Sequence, residues 1–185
     1  MSQQTQVLPE ERSPQITLEV ADTQLSIGDL NDLCDATEAA ITDGGGFGWV
    51  NVPERTVLES FWQGVIAMPA RDLYLVRLDG VISGSAQLKR PPRNNEAQAF
   101  SAHLRSFFIA PWARQYGLAQ KLLHFIEEQA RQGDIEVINL DIRETQTAAI
   151  RMYENAGYVQ ISTHPYYAKV NGKIIPGRAY YKHLA

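Results

Sequence analysis

The stretch Phe107 to Ala119, FFIAPWARQYGLA, holds the residues whose types and spacing say most about chemistry. An apolar run ends at Ile109, Pro111 stops it, and Arg114-x-x-Gly117-x-Ala119 leads into a helix. The first N–H groups of a helix have no internal partner, and its start carries a partial positive charge. A strand–turn–helix junction therefore gathers main-chain N–H groups, here those of Arg114 through Ala119, into an anion site sized for a pyrophosphate. Gly117 permits close approach of backbone to ligand, Ala119 is small, and Arg114 can add a charged hydrogen bond. Taken alone, the same pattern also describes a plain helix start that happens to contain a glycine.

The elements that must position this turn are legible from periodicity. Gln15 to Val20 alternates as a strand. Ser26 can cap a helix through Leu30, Leu33, Ala36, Thr37 and Ala40. Gly44-Gly45-Gly46-Phe47-Gly48 breaks regular structure. Pro53 suits the first turn of a second helix, with Val57, Leu58, Phe61, Trp62, Val65 and Ile66 on its buried face. Asp72–Leu78 and Val81–Leu88 form a hairpin about Asp79-Gly80. After the polar KRPPRNN loop, Ala97 to Ile109 reads as one long strand. Leu118 to Arg131 is helical, Ile135 to Ile142 a buried strand, and Thr147 to Asn155 a short helix closed by Gly157. Val159–Thr163 and Arg178–Leu184 are closing strands around a turn at Asn171-Gly172. The order is β-α-α-β-β-β-α-β-α-β-β, a mixed α/β sheet with helices packed on it.

The totals limit the function classes. A chain of 185 residues, 44 % hydrophobic and 21 % charged, suits one globular domain over residues 15–185 behind a flexible tail at 1–14. The net charge of −4, with no basic run, argues against nucleic acid and leans weakly toward a cationic substrate. No apolar run approaches a membrane span, and no secretory leader is evident, so a cytoplasmic location is expected. The single cysteine, Cys34, excludes an intrachain disulfide and reads as a small core residue. No His/Cys/carboxylate cluster has metal-ligand spacing, so no metal is expected.

Farther along stand Leu140-Asp141-Ile142 and then Ala148-Ala149-Ile150-Arg151-Met152-Tyr153-Glu154-Asn155-Ala156-Gly157-Tyr158. Together with Arg114–Ala119, these residues resemble the GNAT acetyltransferases. That family's acetyl-CoA loop reads R/Q-x-x-G-x-G/A after a strand. Its later block, N-x-x-A-x-x-x-Y-x-x-x-G-F/Y, is matched at Ala149, Tyr153, Gly157 and Tyr158. The resemblance covers about Leu73 to the C-terminus. It implies a GNAT fold: a mixed, mostly antiparallel sheet of six to seven strands, four helices, and splayed central strands that bind acetyl-CoA. Two departures stand out. Gln146 occupies the usual Asn position, whose side chain commonly meets the pantetheine arm, and Gln115 stands where Gly is frequent.

The resemblance implies roles. Backbone groups of Phe107 and Ile109 would pair with the cofactor arm, and the Ile109 N–H would polarise the thioester carbonyl. Tyr153 is the candidate general acid for the leaving thiolate; its bland alternative is a tyrosine packed on its own helix. For the base, His103 on the central strand and Asp141 on the next are both candidates, with Glu96 at the strand's mouth, though a lone histidine on a strand is more often structural. The aromatic C-terminal run, His164 to Tyr167 and Ala179 to Lys182, and the glycine loop resemble more loosely a subgroup that includes the tabtoxin resistance acetyltransferase. A Tyr-rich strand pair covering the sheet is the alternative. The leading expectation is acetylation of a primary amine on a small or amino-acid-like molecule, by direct attack in a ternary complex. A protein N-terminal or lysine acetyltransferase and a non-catalytic acetyl-CoA-binding module are the alternatives. A homodimer is implied by the resemblance alone.

Overall fold

The computed structural model describes residues 13–45 and 47–184, so the tail expected over 1–14 lies outside the described residues except at 13 and 14. The elements run β1 Ile16–Val20, α1 Ile27–Thr42, α2 Arg55–Ile66, β2 Arg71–Leu78, β3 Val81–Lys89, β4 Ser101–Ile109, α3 Leu118–Gln132, β5 Val137–Arg143, α4 Thr147–Asn155, β6 Val159–Val170 and β7 Lys173–His183. The seven strands lie in the order β1-β2-β3-β4-β5-β7-β6. Only β4 and β5 are parallel; every other neighbouring pair is antiparallel. The element order and sheet class match the expectation. Among the described residues, no helix is long and apolar enough to cross a membrane.

Local chemistry explains most boundaries. Ser26 caps α1 by accepting from the Asp29 N–H at 3.0 Å. Asp79-Gly80 and Asn171-Gly172 all have positive φ, the geometry of two-residue hairpin turns. Several expected boundaries move. The long strand from Ala97 is interrupted by a 3-10 turn at Glu96–Gln98, and β4 starts at Ser101. The strand expected at Ile135 starts at Val137, because the Ile135 N–H goes back to Ala130 at the end of α3. Pro53 lies ahead of the Glu54 cap rather than in the first turn of α2. The closing strands are much longer than expected, because the exposed hairpin beyond Thr163 carries no apolar alternation to announce it.

Each face of the sheet has its own core. Tyr74, Val76, Leu88, Leu104, Ile138 and Leu140 pack with α3 and α4. Leu73, Leu75, Ile82 and Phe108 pack with α1 and α2. Successive residues on β2 thus enter opposite cores, as the strand period requires. Burying each Leu or Ile contributes about 2 kcal/mol. Trp62 on α2 donates to Thr37 on α1 at 3.1 Å, tying the two helices together.

One irregularity shapes the centre of the sheet. On β4, Arg105 is opposite Gln87 and Phe108 is opposite Ser85, so Ser106 and Phe107 together face Ala86 alone. This is a β-bulge, with Ser106 at φ 47. Bulges bend and twist a strand. The β4–β5 ladder runs only from Ser101/Val137 to Leu104/Leu140, and beyond the bulge the strands are unpaired. Gly84 on β3 makes the bend possible. A Cβ there would come within 2.5 Å of the Phe108 carbonyl oxygen and 3.1 Å of the Ile109 Cα.

Gly84→Ala should therefore push β4 off β3 and destabilise the protein by about 1–3 kcal/mol, the usual cost of overpacking, measured as a lowered urea midpoint. Cys34 is fully buried on α1, and burial pushes its thiol up to about 11. The thiol should stay silent toward a thiol reagent at pH 8 in the native protein and react at once in denaturant.

Candidate functional site

The parting of β4 and β5 opens a cleft of about 510 Å³. Its lining brings together Phe107, Asp141, Gln146, Ala149, Tyr153 and His103 from three elements and one loop. Ile109 and the Arg114–Ala119 turn are not part of this lining; they continue from the end of β4. Glu96 sits in its 3-10 turn and lines neither this cleft nor the one beside it.

The open edge of β4 offers main-chain groups. The Ala110 N–H donates to Ser83 on β3 at 2.8 Å. Successive residues of a strand point these groups to alternate sides. Phe108 therefore faces β3, and the N–H groups of Ile109 and Phe107 face the gap. Beyond Ile109 the chain makes a 3-10 turn over Pro111–Tyr116, and Gly117 at φ 68 starts α3. Gly117 is the only residue of this turn with positive φ, so Gln115 meets no strain. No side chain caps α3, which leaves its first N–H groups and positive end available to an anion.

Three side chains, Arg114, Arg143 and Gln146, hold the α1–α2 loop beside the cleft. Arg114 pairs with Asp43 at 2.6 Å and also reaches the Ile109 carbonyl at 3.4 Å. The Gln146 amide donates to the Gly44 carbonyl at 2.9 Å, and Arg143 donates to the Phe47 carbonyl at 3.0 Å. Phe47 is itself sunk among Trp49, Phe61, Trp62 and Phe108. Phe47 thus anchors the loop beside the cleft.

His103 and Asp141, 38 residues apart in sequence, meet across the two central strands: His103 Nε2 lies 3.1 Å from Asp141 Oδ2. An ionised carboxylate only accepts, so Nε2 carries the hydrogen and the neutral ring keeps its lone pair on Nδ1. Tyr153 is buried, edge-on to Phe107 and Tyr158 at 5.9 and 5.3 Å. Burial pushes its hydroxyl well above the usual tyrosine range, so it stays protonated.

Tyr167 is a site residue that sequence reasoning left among the sheet-covering aromatics. Between His164 and Ala168, three β6 residues face Pro176 alone. This bulge lays the Tyr167 ring on Gly177, where a Cβ would come within 2.2 Å of the ring. The ring lines the cleft. Its hydroxyl is raised by burial first and then by Asp141, with Arg105 and Arg143 opposing. Gly177 is the sequence signal for this arrangement, since only a residue without Cβ leaves room for the ring.

The Acetyltransferase (GNAT) family model matches residues 42–158. The chain is 56 % identical over 131 residues to an uncharacterized N-acetyltransferase from the hisH–hisA intergenic region of Azospirillum brasilense, covering 71 % of this chain and 77 % of that one. The fold is also that of yncA from Salmonella typhimurium, solved with its cofactor acetyl-CoA. That match has a TM-score of 0.74 at 15 % identity and covers 92 % and 94 % of the two chains. A ribosomal-protein-alanine N-acetyltransferase from Brucella melitensis matches with a TM-score of 0.75 at 18 % identity, covering 90 % and 99 %. The chain belongs to the GNAT acetyltransferase family.

Gly177→Ala should drive the Tyr167 ring off its seat while the β6–β7 ladder persists. A crystal structure of the variant, with a melting temperature within a few degrees of wild type, checks this; an unmoved ring would contradict it.

Proposed function

We propose that this chain is an N-acetyltransferase that moves the acetyl group of acetyl-CoA directly to a primary amine on a small molecule, both held together in the β4–β5 cleft. The observation that carries this reading is the free main-chain edge of β4 running straight to the uncapped start of α3. An extended arm with amide groups matches the first part, and a diphosphate matches the second. Bound acetyl-CoA supplies an acyl group already activated as a thioester.

The chain's own residues then divide the work. Phe107 and Ile109 present main-chain hydrogen bonds to the arm and its thioester, Ile109 nearer the diphosphate and Phe107 nearer Tyr153. The amides of Arg114, Gln115, Tyr116, Gly117, Leu118 and Ala119 surround the diphosphate, and Arg114 exchanges Asp43 for a phosphate. Gln146 offers its amide to the arm in place of the Gly44 carbonyl, and Ala149 leaves room beside it. His103 accepts a proton from the acceptor's ammonium through Nδ1, while Asp141 orients the ring. Tyr153 donates to the departing sulfur. The cleft volume, about 510 Å³, supports a small acceptor.

The purified chain should bind acetyl-CoA in a calorimetric titration and release free thiol when an amine panel is added. Neither heat nor thiol would end the reading. Tyr153→Phe should lower kcat about 10²–10⁴-fold while acetyl-CoA affinity stays near wild type. His103→Gln and Asp141→Asn should each lower kcat, and the double variant should lose less than the product of the two, because the residues act as a unit.

A further inference from the structure

The helices α1 and α2 cover β2, β3 and the end of β4, but leave the neighbouring strip of the same sheet face bare. A second cleft of about 430 Å³ lies on this strip, bordered by the Lys89–Asn95 loop. It shares His103, Arg105, Leu140 and Asp141 with the β4–β5 cleft, so the two meet at the His103–Asp141 pair.

The charge here runs against that of the chain. The molecule carries a net charge of −4. The two clefts nevertheless include Lys89, Arg90, Arg105, Arg143 and Lys169 against the single carboxylate of Asp141. Arg90 is held by Asp72 and Arg143 by the Phe47 carbonyl. Among the described residues, Arg93, Arg105 and Arg151 are the arginines with no hydrogen bond or ion pair, and of these only Arg105 lines a cleft.

Register explains its position. Leu104 pairs with Leu140 at the last rung of the β4–β5 ladder. One rung further, Arg105 would stand against Asp141, but there the strands have parted and Asp141 bonds to His103 instead. Arg105 shares a face of β4 with His103, about 7 Å along the strand. Across the bulge it lies three residues of β3, about 10 Å of strand, from Ile109, and so away from the start of α3 where the diphosphate is placed above. A guanidinium with no internal partner thus lines the same clefts as the carboxylate–imidazole pair.

We propose that Arg105 is the specificity residue of the acceptor site, and that the acceptor is an amine bearing a carboxylate or a similar oxyanion one or two carbons from its nitrogen. The amine meets His103 and Asp141, and the oxyanion forms a two-pronged pair with Arg105. Lys89 and Lys169 add a field of the same sign at the rims. The proposal rests on the acetyltransferase reading and narrows its acceptor.

The test uses the full chain, acetyl-CoA and matched pairs of amines: the common amino acids, a β-amino acid and an aminophosphonate, each against its amide or ester, with spermidine as a carboxylate-free amine. At least one acid is expected to exceed its uncharged partner in kcat/KM by ten-fold or more. Arg105→Gln should lower that value roughly 10–100-fold, mostly through KM, and erase the preference for the acid. Arg105→Lys should retain part of it, since the charge remains without the fork. Melting temperatures should match wild type, as Arg105 is exposed and unpartnered. Equal turnover of acids and amides, best turnover of spermidine, or equal losses on both partners in Arg105→Gln would overturn the proposal while leaving the acetyltransferase reading intact. Acetyl-CoA binding with no turnover of any acid also overturns it. No acetyl-CoA binding at all defeats both.

Discussion

The bend in β4 at Ser106 and Phe107 is the constraint on which the rest of the site depends. A parallel pair of strands normally satisfies its main-chain groups along its whole length. Here the ladder stops at Leu104/Leu140, and the bulge leaves Ile109 with an N–H facing no protein partner strand. An orphaned main-chain edge in a buried sheet is costly unless water or a ligand completes it. The left-handed backbone of Ser106 and the bare Cα of Gly84 are further costs of the same geometry. The packed cores on both faces of the sheet outweigh these terms and hold the gap open.

Around that gap, side chains from three parts of the chain are tied to one loop. Arg114, Arg143 and Gln146 each hold the α1–α2 loop, at Asp43, Phe47 and Gly44. A ligand that engages Arg114 or Gln146 competes with these contacts and changes the hold on the loop. The exposed Arg114–Asp43 pair is worth under about 1 kcal/mol, so such an exchange is inexpensive. Phe47 keeps the loop anchored through aromatic packing whatever its polar contacts do.

The acceptor side shows how local charge departs from net charge. A net −4 pointed weakly to a cationic partner, yet the cleft gathers cations around one carboxylate. Pairing His103 with Asp141 removes that carboxylate from Arg105. Two side chains that looked like rival candidates for one role are a single unit, and a third charge is left free by their contact.

The sequence by itself determined the order of the elements, the Ser26 cap, the two hairpin turns and the family blocks from Arg114 to Ala119 and from Ala149 to Tyr158. These rest on capping, turn chemistry and periodicity, which act over a few residues and leave marks in local composition. Tertiary structure alone decided the meeting of His103 with Asp141, the seat of Tyr167 on Gly177, the unpartnered Arg105 and the loop held by Arg114 and Gln146. Each joins residues far apart in the chain through strand register and bulges. Register is set by whole-sheet packing, and one inserted residue moves every later side chain to the other face.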